Sequence, residues 1–135
     1  MKIAELLEKH EAYRRFVYRD SVGKLTVGIG RNLEDRGLTH EESVYLLNND
    51  IADFTKQLSL KLPWFKTAPD NVKLVLTDMG FNLGISGLLT FKNTLEHIRK
   101  GEYNLAAEEM LLSKWAKQVG IRAIELSEIL KNTSK

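Results

Sequence analysis

Glu11, Asp20 and Thr26 are the residues of this chain whose types and spacing could do chemistry together. They fall in one stretch, EAYRRFVYRDSVGKLTVGIGR, from Glu11 to Arg31. A carboxylic acid that protonates a leaving oxygen, with a carboxylate and a hydroxyl that hold water, are the parts glycoside hydrolysis needs. Each residue also has a purely structural reading. Glu11 suits a solvated helix end, Asp20 is a natural turn residue, and Thr26 is a good strand former.

The neighbouring elements decide whether the three can meet. Ile3, Leu6, Leu7 and His10 recur at helical spacing, which predicts a short amphipathic helix ending at Glu11. There the unpaired carbonyls of the last turn disfavour negative charge, a bias that suits a general acid. Phe16, Val17 and Tyr18 predict a strand, and Ser21-Val22-Gly23-Lys24 a turn. Leu25 to Gly30 reads as one alternating return strand. It puts Leu25, Val27 and Ile29 on the apolar face, and Thr26, Gly28 and Gly30 on an open face that substrate can approach.

Beyond a loop at 32–38, Thr39-His40-Glu41-Glu42 reads as a capping box. The helix it opens carries Val44, Leu47, Ile51, Phe54 and Leu58 and is expected to run to about Leu60. Pro63 ends that region, and Pro69 opens a helix with Val72, Val75, Leu76, Met79 and Leu83 as a buried stripe. The glycines from Gly80 to Gly87 suggest a break between helices. Helices follow at about 90–99, 103–112 and 119–130, and Asn132 to Lys135 is expected to fray.

Composition narrows the class. With 135 residues, 43% hydrophobic and 28% charged, the chain fits one globular domain. A net charge of +2 is too mild for a nucleic-acid binder. No apolar run of the ~20 residues that span a bilayer stands out. Glu5, Glu8, Lys9 and His10 interrupt any signal-like N-terminus, so the expected location is the cytoplasm until release. Cysteine is absent, which excludes disulfides and thiolate chemistry. His10, His40 and His97 lack paired ligand spacing, so no metal and no other cofactor is expected.

With these residues assembled, the chain resembles the bacteriophage lysozymes of the T-even type, the muramidase endolysins. Glu11, Asp20 and Thr26 stand at the family's catalytic spacing, with Thr26-Val27-Gly28-Ile29-Gly30 closing the motif. Further matches are Leu46 to Asp50, Gly80-Phe81-Asn82-Leu83-Gly84, Phe91 to Leu95, and Trp115 followed by Arg122. The resemblance implies a mainly helical α+β, lysozyme-like two-lobed fold. A β-hairpin lobe would occupy about 12–38, a linking helix 39–60, and a helical lobe 1–11 with 61–135.

It also implies an enzyme that hydrolyses the N-acetylmuramic acid to N-acetylglucosamine bond of bacterial peptidoglycan, with inversion and as a monomer without stable membrane association. Glu11 would be the general acid, and Asp20 and Thr26 would hold the attacking water. Gly30, Asn32, Phe81 and Asn82 would bind substrate. Arg31, Asp50 and Arg122 would support the site from behind, and an Arg31–Asp50 pair is expected because family members often carry His at the first position, paired with an acid at the second. For Phe81 the competing reading is a core aromatic, and for Arg122 an ordinary surface arginine. Trp64 and Trp115 read as packing residues. Two other readings of the whole are a lytic transglycosylase and a catalytically weak phage module that binds wall glycan.

Overall fold

The computed structural model describes residues 1–133, so part of the expected frayed end, Ser134 and Lys135, lies outside the described residues. The chain is mainly helical α+β. Helix α1 (Ile3–Glu11) precedes strands β1 (Arg14–Arg19), β2 (Leu25–Gly28) and β3 (Arg31–Asn32). Helices α2 (His40–Lys61), α3 (Asp70–Leu89), α4 (Lys92–Arg99), α5 (Tyr103–Leu111), α6 (Lys114–Val119) and α7 (Ile121–Lys131) follow. A short 3-10 turn, Phe65–Thr67, stands before α3. Two compact units result, Met1–Leu47 and the rest from Asn48 onward, with the boundary inside α2. Helix α1 falls in the first unit with the sheet, where the expectation had grouped residues 1–11 with 61–135.

In the first unit the strands form an antiparallel meander in the order β1-β2-β3. The expected single hairpin is therefore a three-stranded sheet. The return strand stops at Gly28, because Gly28 (φ 69°) and Gly30 (φ 67°) both take left-handed backbone that no extended strand can carry. Chain direction reverses there, and Arg31-Asn32 pairs back on Val27-Thr26.

The expected division of faces is also corrected. Thr26 is buried, whereas Leu25 and Val27 are half-buried and Ile29 is exposed. Thr26 sits on the central strand between Tyr18 and Asn32 in the register, so neighbours cover it from both sides. Among residues 1–47 it is the one buried residue.

In the second unit the core gathers Leu58, Leu62, Phe65, Val72, Val75, Leu76, Met79, Leu88 and the apolar faces of α4 to α7. Helix α3 contributes Val72, Val75, Leu76, Met79 and Leu88 to it. That helix is long and apolar enough to cross a membrane by length and composition, contrary to the expectation that no such stretch exists. Those five side chains are buried in the core, and Gly84 (φ 77°, ψ 162°) interrupts the helix at the expected glycine-rich break. Leu83, expected in the buried stripe, is only partly buried. Of the apolar positions read at helical spacing on α2, Val44, Leu47, Ile51, Phe54 and Leu58, only Leu58 is buried.

Helix α6 is the element the periodicity missed. It is short, with the Ser113 hydroxyl capping it through the Ala116 amide, and Gly120 (φ 60°) separates it from α7.

Gly80 marks the tightest approach in this unit. A Cβ there would drive into the ring of Phe54. Alanine for glycine in an exposed helix interior normally gains about 1 kcal/mol. Here we expect Gly80→Ala to lose about 1–3 kcal/mol by overpacking, read as a lower denaturant midpoint. A gain in stability would show that the Phe54 ring yields freely.

Candidate active site

The first unit holds all three residues of the predicted catalytic set. Glu11 is the last residue of α1, and the chain leaves that helix through Ala12, whose amide caps back on the Glu8 carbonyl at 2.8 Å. Ala12 takes φ 61° and ψ 156°, the one left-handed non-glycine conformation among the described residues. Such backbone costs an L-residue roughly 1–3 kcal/mol. The Glu11 carboxyl lies against Gly30: a Cβ at Gly30 would stand 2.9 Å from both Cδ and Oε2 of Glu11. The glycine at the β2–β3 reversal is therefore bare because the acid occupies the space its side chain would fill.

Asp20 and Thr26 are joined through Lys24. The Asp20 Oδ1 accepts the amides of Val22 (2.9 Å) and Lys24 (2.8 Å), which makes the β1–β2 bend an Asx-type turn. The Lys24 carbonyl in turn accepts the Asp20 amide (2.9 Å) and the Thr26 hydroxyl (2.9 Å). One peptide thus fixes the backbone of the acid and the rotor of the hydroxyl. Asp20 Oδ2 accepts no hydrogen bond from a described residue. Asn32 shares the Thr26 face in the register, but its side chain is engaged locally. Its Nδ2 donates to Asp35 Oδ2, and its Oδ1 accepts the Asp35 amide, both at 3.0 Å.

Arg31 does not pair with Asp50. Its guanidinium is clamped by both oxygens of Glu42, with Nη1 donating to Oε1 at 2.7 Å and to the Gly37 carbonyl at 3.1 Å. Glu42 is the acid of the expected capping box: its Oε1 accepts the Thr39 amide (2.8 Å), and its own amide donates to the Thr39 hydroxyl (3.1 Å). A planar fork prefers a carboxylate it can meet with two parallel bonds, and Glu42 offers that on the first turn of α2. The capping box was legible in the sequence, but its second use by Arg31 was not. Beside this clamp runs an open apolar groove of about 770 Å³, lined among others by Tyr13, Val27, Ile29, Leu38, Tyr45 and Leu46.

The other expected site residues belong to the second unit. Phe81 is exposed, with its ring 5.7 Å from that of Phe54, and it lines a cavity of about 280 Å³ with Asp50, Asp53 and Gln57. Sequence reasoning passed over Asp53 and Gln57, although their spacing from Asp50 puts them on the same side of α2. Asn82 accepts the Trp115 indole N–H through Oδ1 at 2.7 Å. Trp115 is buried and meets Phe91 edge-on, in keeping with a packing role. Arg122 donates to the Asp78 carboxylate (2.7 Å) and to the Asp78 carbonyl (3.1 Å), tying α7 to α3.

The phage lysozyme family model matches residues 8–131, a span that includes every candidate site residue above. The chain belongs to the phage lysozyme family. Members of this family are glycoside hydrolases of peptidoglycan, so this lysozyme-family chain is an enzyme of that class. It is similar to "Probable T4-type lysozyme 1" of Dictyostelium discoideum, at 25% identity over 95% of this chain and 92% of the relative. It is also similar to the pre-baseplate central spike protein of Enterobacteria phage T4, at 24% identity over 96% of this chain but only 28% of that longer protein.

Two expectations follow for the site's supports. The Arg31 clamp, with the Thr39 amide, holds the Glu42 carboxyl down to about 2 from an ordinary 4.5. A depressed carboxylate contributes stability that is complete above its unfolded value and is lost as pH falls towards its folded one. Wild type should therefore lose stability between about pH 4.5 and 2 through this group. Glu42→Gln should flatten that part of the profile and lower the neutral midpoint, whereas Asp50→Asn should leave it in place. Circular dichroism melts across that range check both.

The backbone at Ala12 supplies the second. Ala12→Gly should raise stability by about 1 kcal/mol through relief of strain. Gly30→Ala should lower it and abolish activity, since the new methyl takes the place of the Glu11 carboxyl.

Proposed function

We propose that the protein is a muramidase that cleaves the N-acetylmuramic acid to N-acetylglucosamine bond by inverting hydrolysis. Glu11 protonates the leaving oxygen, while Asp20 and Thr26 hold the water that attacks from the opposite face of the sugar. One observation carries this reading: the Glu11 carboxyl rests on Gly30 of the same small sheet whose β1–β2 bend locks Asp20 and Thr26 onto Lys24.

Each member has a free valence for its task. Asp20 uses Oδ1 for the turn and leaves Oδ2 for water. Thr26 donates its proton to Lys24, which leaves its oxygen lone pairs to accept one from water. A general acid needs no metal to cleave a glycoside, and the paired roles follow the division of labour in inverting enzymes, where one carboxyl acts as acid and the other serves the nucleophilic water.

The Glu11→Gln substitution tests the reading. It keeps the shape of the side chain and removes the proton donor. General acid catalysis contributes about 10²–10⁴-fold, so clearing of a cell-wall suspension should fall by at least that much with the melting temperature nearly unchanged. Equal clearing by the variant would remove Glu11 from the mechanism. Mass spectrometry of wild-type products should find reducing muramic acid ends; anhydro ends would make the enzyme a lytic transglycosylase.

A further inference from the structure

Residues 32–38, expected only as a loop, carry two acids, Glu34 and Asp35, that reach back to β2 and the bend before it. Strand β3 ends at Asn32, but the ladder continues by one bond, in which the Leu33 amide donates to the Leu25 carbonyl at 2.8 Å. A regular antiparallel pair would return a second bond, from the Leu25 amide to the Leu33 carbonyl. That carbonyl accepts the Gly37 amide instead, at 3.1 Å. The Leu25 amide goes to the Glu34 side chain, whose Oε1 accepts it at 3.0 Å. A carboxylate thus stands where the next strand would have offered a backbone carbonyl.

What lies across the same peptide gives this exchange its weight. The Leu25 amide and the Lys24 carbonyl belong to one planar unit. That carbonyl accepts the Asp20 amide and the Thr26 hydroxyl, both at 2.9 Å. Aiming the amide therefore aims the carbonyl, and with it the Thr26 lone pairs and the backbone of Asp20. A carboxylate on the amide also polarises the peptide, which makes its carbonyl a better acceptor. Arg19 completes the brace: its Nη1 donates to the Gly23 carbonyl at 3.0 Å and stands 3.5 Å from Glu34 Oε1. The Lys24 ammonium meets Asp35 Oδ1 at 3.4 Å. Both ion pairs reach solvent, so their Coulomb energy adds little. What Glu34 contributes is direction.

We propose that Glu34 is a positioning residue for the hydrolysis, its carboxylate setting the Lys24–Leu25 peptide that holds the two water-binding groups, Asp20 and Thr26. The inference rests on the muramidase reading above. In this role Glu34 touches neither sugar nor water. It acts through the peptide, so its loss misaligns the attacking water and leaves glycan affinity alone. Positioning errors of that kind appear in kcat.

The test is a split of kcat against KM on soluble, uncrosslinked glycan strands, read by release of reducing ends. Glu34→Ala should lower kcat about tenfold with KM unchanged. Glu34→Asp keeps the charge but draws the acceptor back by one methylene, and should lose as much; it decides the matter if the alanine variant does not fold. Glu34→Gln keeps Oε1 and removes the charge, and should recover most of kcat. Wild-type kcat in the alanine or aspartate variant overturns the assignment. So does a loss confined to KM, or a glutamine variant as slow as the alanine one. Turnover that Glu11→Gln leaves unchanged overturns the muramidase reading and this inference with it. Glu11-dependent turnover that is indifferent to Glu34 overturns this inference alone.

Discussion

The clamp between Arg31 and Glu42 is the interaction on which the first unit depends. Residues 1–47 fully bury only Thr26, so little buried apolar packing holds their sheet to the start of α2. The guanidinium does it instead, gripping both Glu42 oxygens and the Gly37 carbonyl. Glu42 adds the cap of α2 through Thr39. A single carboxylate thereby starts a helix and anchors the strand that ends beside Glu11. Arginine suits this joint because it stays charged throughout the working pH range and its fork fits a carboxylate in the plane.

The geometry of the candidate site in that unit is held by backbone rather than by a core. The Lys24 backbone uses its amide on Asp20 and its carbonyl on both Asp20 and Thr26. Gly30 leaves room for the Glu11 carboxyl, and Ala12 accepts a left-handed conformation to bring α1 into that position. Strain of this kind is tolerated where surrounding structure over-determines it, and such places are often functional. The second unit works on the opposite principle. Its helices pack around a shared apolar core, and polar ties such as Arg122–Asp78 and Trp115–Asn82 orient side chains at its margin.

Much of this was legible in the residues alone. Apolar spacing located α1 to α5 and most of α7, and the capping box placed the start of α2, because such patterns depend on neighbours within a turn or two of the same helix. The ordered Glu11, Asp20 and Thr26 set pointed to the family that the comparison with known proteins then showed. Other features were hidden. Six residues make α6, too few for a period to declare itself, and its only signal was a serine before a tryptophan. The sheet's third strand was hidden by glycines that read equally well as strand positions or as a reversal.

What the sequence determined by itself was therefore the local: helix spans, caps, the turn at Asp20, and the chemical types available for catalysis. Only tertiary structure decided which groups meet. It gave Arg31 to Glu42 instead of Asp50, put Thr26 under its neighbours instead of on an open face, and set the Glu11 carboxyl against Gly30. The physical reason is that helix and turn preferences are settled by residues adjacent in the chain, whereas an ion pair or a close approach depends on the path of the backbone between its partners. Two left-handed glycines redirect that path here, and no periodicity along the chain records where they send it.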